Sequence, residues 1–308
     1  MNGFWVGKFE TKGTADKPTI LPNKASLRNQ NVSTQFITSL KFANNTLNND
    51  GSITHSNNTT YGINNTDAHM MKNTEWGAVA YLSHSKYGQA GSIRLNNNSA
   101  YKTGYAATSE PTTEQPAYTG YGTTSDVTLV WYTSVGQLAS TTGTLYGVYD
   151  MSGGAHEYVM GVQTDDYGIP LSGRHNLYNS GFTGTLGCPT CDSGTSGVDS
   201  TITSITGKSL PSSKYYDAYK ARTNGNRANG ILGDATSELG PFGSATVSNE
   251  TRWSSSWYTD NSWFVNSGNP WFYRGGPWYY GSGAGVFSFN YIYGQASSYL
   301  GFRVVLAF

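Results

Sequence analysis

Apolar positions in this chain come in short groups separated by long polar stretches, and two of those groups repeat at roughly helical spacing. In residues 30–43, Val32, Phe36, Ile37, Leu40 and Phe42 predict an amphipathic helix. A second helix is expected through Trp76, Val79, Ala80, Leu82 and Ser83, stopping near Gly88. Its start falls at Thr66–Asp67 or at Asn73–Thr74, whose polar side chains can cap it. A short strand is expected over residues 3–10, and Val127 to Tyr132 is a further apolar run. In the last strand Phe302, Val304 and Leu306 alternate as one buried face, with Arg303 between them as a structural hydrogen-bond donor.

The intervening stretches at about 89–126 and 181–207 are rich in Gly, Ser and Thr. They read as surface loop insertions, because buried loops leave backbone polar groups without partners. No internal repeat is visible. The expectation is an α+β fold in a single domain spanning residues 1–308, loop-rich, with two main helices and short strands.

Charged residues make up only 12% of the 308 positions and the net charge is zero, so nothing electrostatic points to nucleic acid or an anionic membrane. The 14% aromatic content argues against a disordered chain. No segment reaches the roughly 20 apolar residues of a membrane helix, so direct membrane insertion is not expected. Met1 and Asn2 run straight into strand-like sequence. The expectation is a domain boundary there, with any export or anchoring segment outside this chain. Cys188 and Cys191 share the spacing of redox pairs and of half a zinc site; a loop thiol pair or small disulfide staple fits the Gly/Ser/Thr surroundings equally. The five histidines show no paired metal spacing, and neither a nucleophile elbow nor a phosphate loop occurs. Asp165, Asp166 and Glu238 are the scattered carboxylates a hydrolase would have to use.

Residues 277–300 stand apart. Trp278, Tyr279, Tyr280, Ser282, Gly283, Tyr291, Ile292, Tyr293, Gln295, Ser297, Ser298, Tyr299 and Leu300 combine aromatic with small polar residues, the mixture used by antibody-like binding surfaces. The alternative is a satellite core packed under the long loops.

Several motifs carry a family resemblance. Phe4 to Glu10, the helix segment Thr74 to Ala80, and Gly147 to Tyr158 (Tyr149, Asp150, Met151, Gly153, Glu157) resemble formylglycine-generating-enzyme-like domains. So do the closing Arg274, Gly275, Gly276 and Gly301, Phe302, Arg303. Together these motifs span residues 3–305, with Gly154, His156 and Tyr158 departing from the family pattern. The resemblance implies a C-type lectin fold. It also implies loss of the oxidase activity, since residues 278–300 lack the paired cysteines of the oxidising members. A structural Ca2+ is implied at Asp150, Gly153, Ala155 and Glu157, and no organic cofactor; the alternative is that the two carboxylates cap a turn. Residues 277–300 are also similar to the variable region of diversity-generating-retroelement proteins, with Ala284, Gly285, Phe287, Phe289, Gly294 and Ala296 as constant scaffold. The expectation is a non-enzymatic adhesin or receptor-binding module at the cell surface, engaging a protein or glycan on another cell. The alternatives are an enzyme of altered chemistry and a structural pilus subunit.

Overall fold

Every residue of the strand His156–Thr164 is buried, a condition a strand meets only when layers cover both its faces. The computed structural model describes residues 3–89, 91–98, 101–106, 130–164, 180–183, 208–222, 225–228, 231, 233–236, 254–266 and 269–307. Within them the chain is mixed α+β: two α-helices, short strands and much irregular backbone.

The central strand runs antiparallel to Trp271–Arg274, which pairs in turn with Phe289–Ile292. Its other edge is shared. Leu300–Phe302 lies parallel to residues 156–158, and Asp217–Lys220 lies parallel to residues 161–164. Beyond Arg303 the chain continues as Val304–Ala307, the middle strand of a second sheet between Phe4–Val6 and Asp67–Met70.

Helix α1, Val32–Lys41, begins as its sequence suggests. The Asn31 side chain accepts from the Thr34 amide at 2.9 Å, and the helix ends where Asn44 turns left-handed. Val32, Phe36 and Leu40 pack with Tyr158, Met160, Val162, Trp271, Leu300, Phe302 and Val304. Helix α2, Asn73–Ser83, starts at the second of the two expected places, but not with Asn73 or Thr74 as its cap. Lys72 holds that position, the Glu75 carboxylate accepts the Lys72 amide at 2.9 Å, and Asp217 accepts the Thr74 amide at 2.7 Å. Residues 67–70 are strand instead, because their hydrogen bonds go to the last strand. On the opposite side of the sheet Trp76, Val79 and Ala80 pack with Met151, Val159, Phe272, Phe287, Phe289 and Val305, and the Trp76 indole donates to the Val286 carbonyl at 2.7 Å.

The final strand therefore has two buried faces. Phe302 and Val304, with partly buried Leu306, meet the α1 core, whereas Val305 meets the α2 core.

One expectation about loops is corrected. Residues 91–98 and 101–106 belong to the stretch read as a surface insertion, yet Asn96, Tyr101, Lys102, Thr103 and Ala106 are buried. Asn96 explains why: its amide donates to the Lys102 carbonyl at 3.0 Å and to Asp150, so polar side chains satisfy the backbone that apolar patterning would not. Apart from Gln89, the rest of 89–126, and 181–207 beyond Gly181, Phe182 and Thr183, lie outside the described residues, as do Cys188, Cys191, Asp165, Asp166 and Glu238. Among the described residues no helix is long and apolar enough to cross a membrane.

Candidate functional site

The 3-10 segment Trp278–Gly283 projects from the core between two fixed points. The Trp278 amide donates to the Gly154 carbonyl at 3.1 Å, and after Gly281, in a conformation open to glycine (φ 53°, ψ −130°), the Ala284 amide closes back on Gly281 at 3.1 Å. Trp278, Tyr279 and Tyr280 are thereby held as a fan of nearly perpendicular rings, 5.5 Å and 5.1 Å between successive centroids.

Two further segments complete the fan. Tyr299 stands 6.2 Å from Tyr279, and Tyr101 lies 6.2 Å from Tyr299 and 6.5 Å from Trp278. Edge-to-face pairs of this kind each contribute about 0.5–1.5 kcal/mol beyond their buried area. The Arg28 guanidinium sits 4.4 Å from the Tyr101 ring and donates to the Ser298 carbonyl, tying the Tyr299 arm to the Tyr101 segment. Under the fan, buried His156 lies 4.2 Å from Tyr273 and 5.5 Å from Tyr280. Burial drives the His156 imidazole down to about 3, so it is neutral at ordinary pH. Burial, then neighbouring tyrosines, pushes the Tyr279 hydroxyl up to about 12. Apart from Arg28, the cluster presents uncharged rings and hydroxyls.

The residues singled out in 277–300 divide into groups. Tyr279 is 40% exposed and Tyr299 49%, while Trp278 and Tyr280 are half-buried supports. Gly283 is half-buried beside them, and of Ser282 only the backbone is described. Tyr293 is 44% exposed but no ring among the described residues pairs with it. Gln295, Ser297 and Ser298 form the arm that positions Tyr299. Their carbonyls accept, respectively, from the Tyr158 hydroxyl at 2.8 Å, the Asn29 amide at 2.8 Å and Arg28. Tyr291 packs against Trp263, 5.3 Å between centroids, and Ile292 against the α1 core. Leu300 is the clear correction: at 1% exposure it belongs to the α1 core, because its strand pairs with His156–Tyr158 and turns that side chain inward. Of the expected scaffold, Ala284, Phe287, Phe289 and Gly294 are buried, Gly285 is half-buried and Ala296 is exposed. Tyr101 and Arg28 were not legible as members of the site. Tyr101 is one of several tyrosines in a polar stretch, and only the fold brings it to residues 278 and 299.

The calcium positions have other partners. Glu157 accepts from Arg303 through both oxygens, at 3.0 Å from Nε and more closely from Nη2. Asp150 accepts from the Asn96 side chain and the Gly104 amide. Burial raises Asp150 to about 7, and burial likewise raises Glu157 and, with Glu157 and Asp150 as neighbours, Glu10. Hydrogen-bond donors thus occupy the carboxylate oxygens, and a guanidinium lies where a hard cation would need open oxygen ligands. Asp150, Gly153, Ala155 and Glu157 do not fit a calcium ion in this arrangement. No group of three or more His, Cys, Asp or Glu side chains among the described residues could hold a metal.

No model of a known protein family matches the chain, and no curated protein matches it.

Proposed function

We propose that the chain is a non-enzymatic binding module whose contact surface is the ring cluster of Tyr101, Trp278, Tyr279, Tyr280 and Tyr299. The carrying observation is that aromatic residues from three separate segments converge, with Tyr279 and Tyr299 exposed at the top and Trp278 and Tyr280 wedged beneath. Rigid tyrosines offer large amphipathic contact area at little entropic cost, which suits a protein or glycan ligand. Exposed positions on the turn and arm alternate with buried ones at Ala284, Phe287, Phe289 and Gly294, in keeping with a diversified surface on a constant scaffold. On this reading the fold is a C-type lectin variant of the formylglycine-generating-enzyme-like kind without its oxidase chemistry. It works outside the cell as an adhesin or receptor-binding domain.

The test is to display tetramers of the chain on a printed glycan array and on surface-protein preparations from bacterial and eukaryotic cells. A saturable target should be lost, by about tenfold or more per anchoring ring, in the Tyr279→Ala/Tyr299→Ala variant. Tyr146→Ala, removing an 89% exposed tyrosine outside the cluster, should change nothing. Targets held equally by both variants would refute the assignment.

A further inference from the structure

The Trp278–Gly283 turn has a second side. Behind it lies a cavity of about 140 Å³, walled by the α2 C-cap His84, by Ser92, Ile93 and Leu95, by Tyr258 and Asp260, and by the run from Ala284 to Phe287. This volume is several times the ~30 Å³ share of a water molecule and below the ~300–1,000 Å³ of sites for drug-sized ligands, so a single small ring fits it.

Its lining is divided between polar and flat apolar surface. Asp260 is buried and lines the cavity, and its carboxylate accepts the Phe287 amide at 2.9 Å and the Gly285 amide. A carboxylate has room for about four donors, which leaves acceptor positions open. Ser152 donates to the Ala284 carbonyl at 2.9 Å and keeps its lone pairs. Ile93, Leu95, Val286 and Phe287 supply the apolar share. At the mouth the Tyr258 ring stacks on His84, 4.6 Å between centroids and 26° between planes, and remains 45% exposed.

Two backbone features hold this arrangement. Tyr258 sits at φ 63°, ψ 23°, a left-handed conformation that is strained for an aromatic residue and found disproportionately at binding sites. At Gly285 an added Cβ would fall 2.0 Å from both oxygens of Asp260, so only glycine leaves the carboxylate in place.

We infer that this cavity is a second ligand site, separate from the exposed ring fan, and that it takes a small neutral polyol such as one sugar ring at the end of a glycan. The C–H face of such a ring packs on Tyr258 and Phe287, and its hydroxyls donate to Asp260 and accept from His84 or Ser92. Burial raises the Asp260 carboxyl to about 7, so above neutrality an anion would meet its charge, and a plain hydrocarbon would leave its remaining oxygen positions without donors. A cation has less to gain, because the buried Arg274 guanidinium already acts on Asp260.

Saturation-transfer NMR on the whole chain tests this with the methyl glycosides of glucose, galactose, mannose and N-acetylglucosamine, and with ethylammonium as the cationic probe. At least one glycoside should give saturable transfer, strongest at its ring C–H protons. Asp260→Asn should weaken it about tenfold, the loss of one good acceptor. Tyr258→Gly should do the same while keeping the fold, since glycine adopts φ 63° freely. The proposal is overturned if no glycoside saturates on the wild-type chain, if Tyr258→Gly binds as well as wild type, or if ethylammonium saturates the site and the glycosides do not.

Discussion

Arg303 faces Glu157 across the junction of the two sheets, donating to both carboxylate oxygens while its remaining N–H groups reach the Gly7 carbonyl at 2.7 Å and the Tyr149 carbonyl at 2.9 Å. Both side chains are fully buried. One guanidinium thus joins the opening segment, the glycine-rich turn and the central strand. Removing one member of a buried pair strands the other, at a cost of about 3–5 kcal/mol. Arg303→Met should lower the unfolding free energy measured in urea by that amount. Glu157→Gln, which keeps shape and an acceptor, should cost less. Equal stability of Arg303→Met and wild type would mean that the pair holds nothing together.

Neighbouring residues 299 and 300 should behave oppositely. Leu300→Ala empties a buried site and should destabilise by about 2–5 kcal/mol. Tyr299→Ala removes an exposed ring and should stay within about 1 kcal/mol in chemical denaturation. If Leu300→Ala were the neutral change, the strand would have the other face inward.

His69 makes stability depend on pH above neutrality. Burial disfavours its charged form, but Asp67 at 3.4 Å and Glu75 at 3.0 Å outweigh that and hold its pKa at about 9 instead of 6.5. The folded chain keeps a proton that the unfolded chain releases. This contribution is therefore complete below pH 6.5 and is lost as pH rises to about 9, amounting to about 3 kcal/mol. Denaturant midpoints measured across that window should fall, and His69→Gln should flatten the fall.

Gly77 inverts a helix rule. Replacing a mid-helix glycine by alanine ordinarily gains about 1 kcal/mol. Here a Cβ would lie 2.3 Å from the Gly233 carbonyl oxygen and 2.5 Å from Asp234 backbone. Gly77→Ala should lower the melting temperature, and a rise would show that the 233–234 backbone moves aside easily.

What could be read from the sequence follows the range of the forces involved. Helix α1 was legible because its Val32, Phe36, Leu40 stripe is local. The last strand was legible from its alternation, which extends back to Leu300 although Leu300 was assigned to the binding face. The start of α2 near Asn73 was one of two legible places, but its cap was hidden because Glu75 and Asp217, not the side chain of Asn73 or Thr74, satisfy its amides. Four of the five rings of the cluster announced themselves by composition, at residues 278–280 and 299. Tyr101, Arg28 and the cavity formed by His84, Tyr258 and Asp260 depend on contacts between distant segments, for which no local pattern exists.

The strand Val304–Ala307 lies between Phe4–Val6 and Asp67–Met70, so Phe4 waits for Ala307 and Met70 for Val304. During synthesis neither early strand finds its hydrogen-bonding neighbour until nearly the whole of this sequence has left the ribosome. Closure of so long a loop is slow, and apolar edges stay open meanwhile. Chaperone demand during expression, and sensitivity of yield to losses in the last few residues, are built into this strand order.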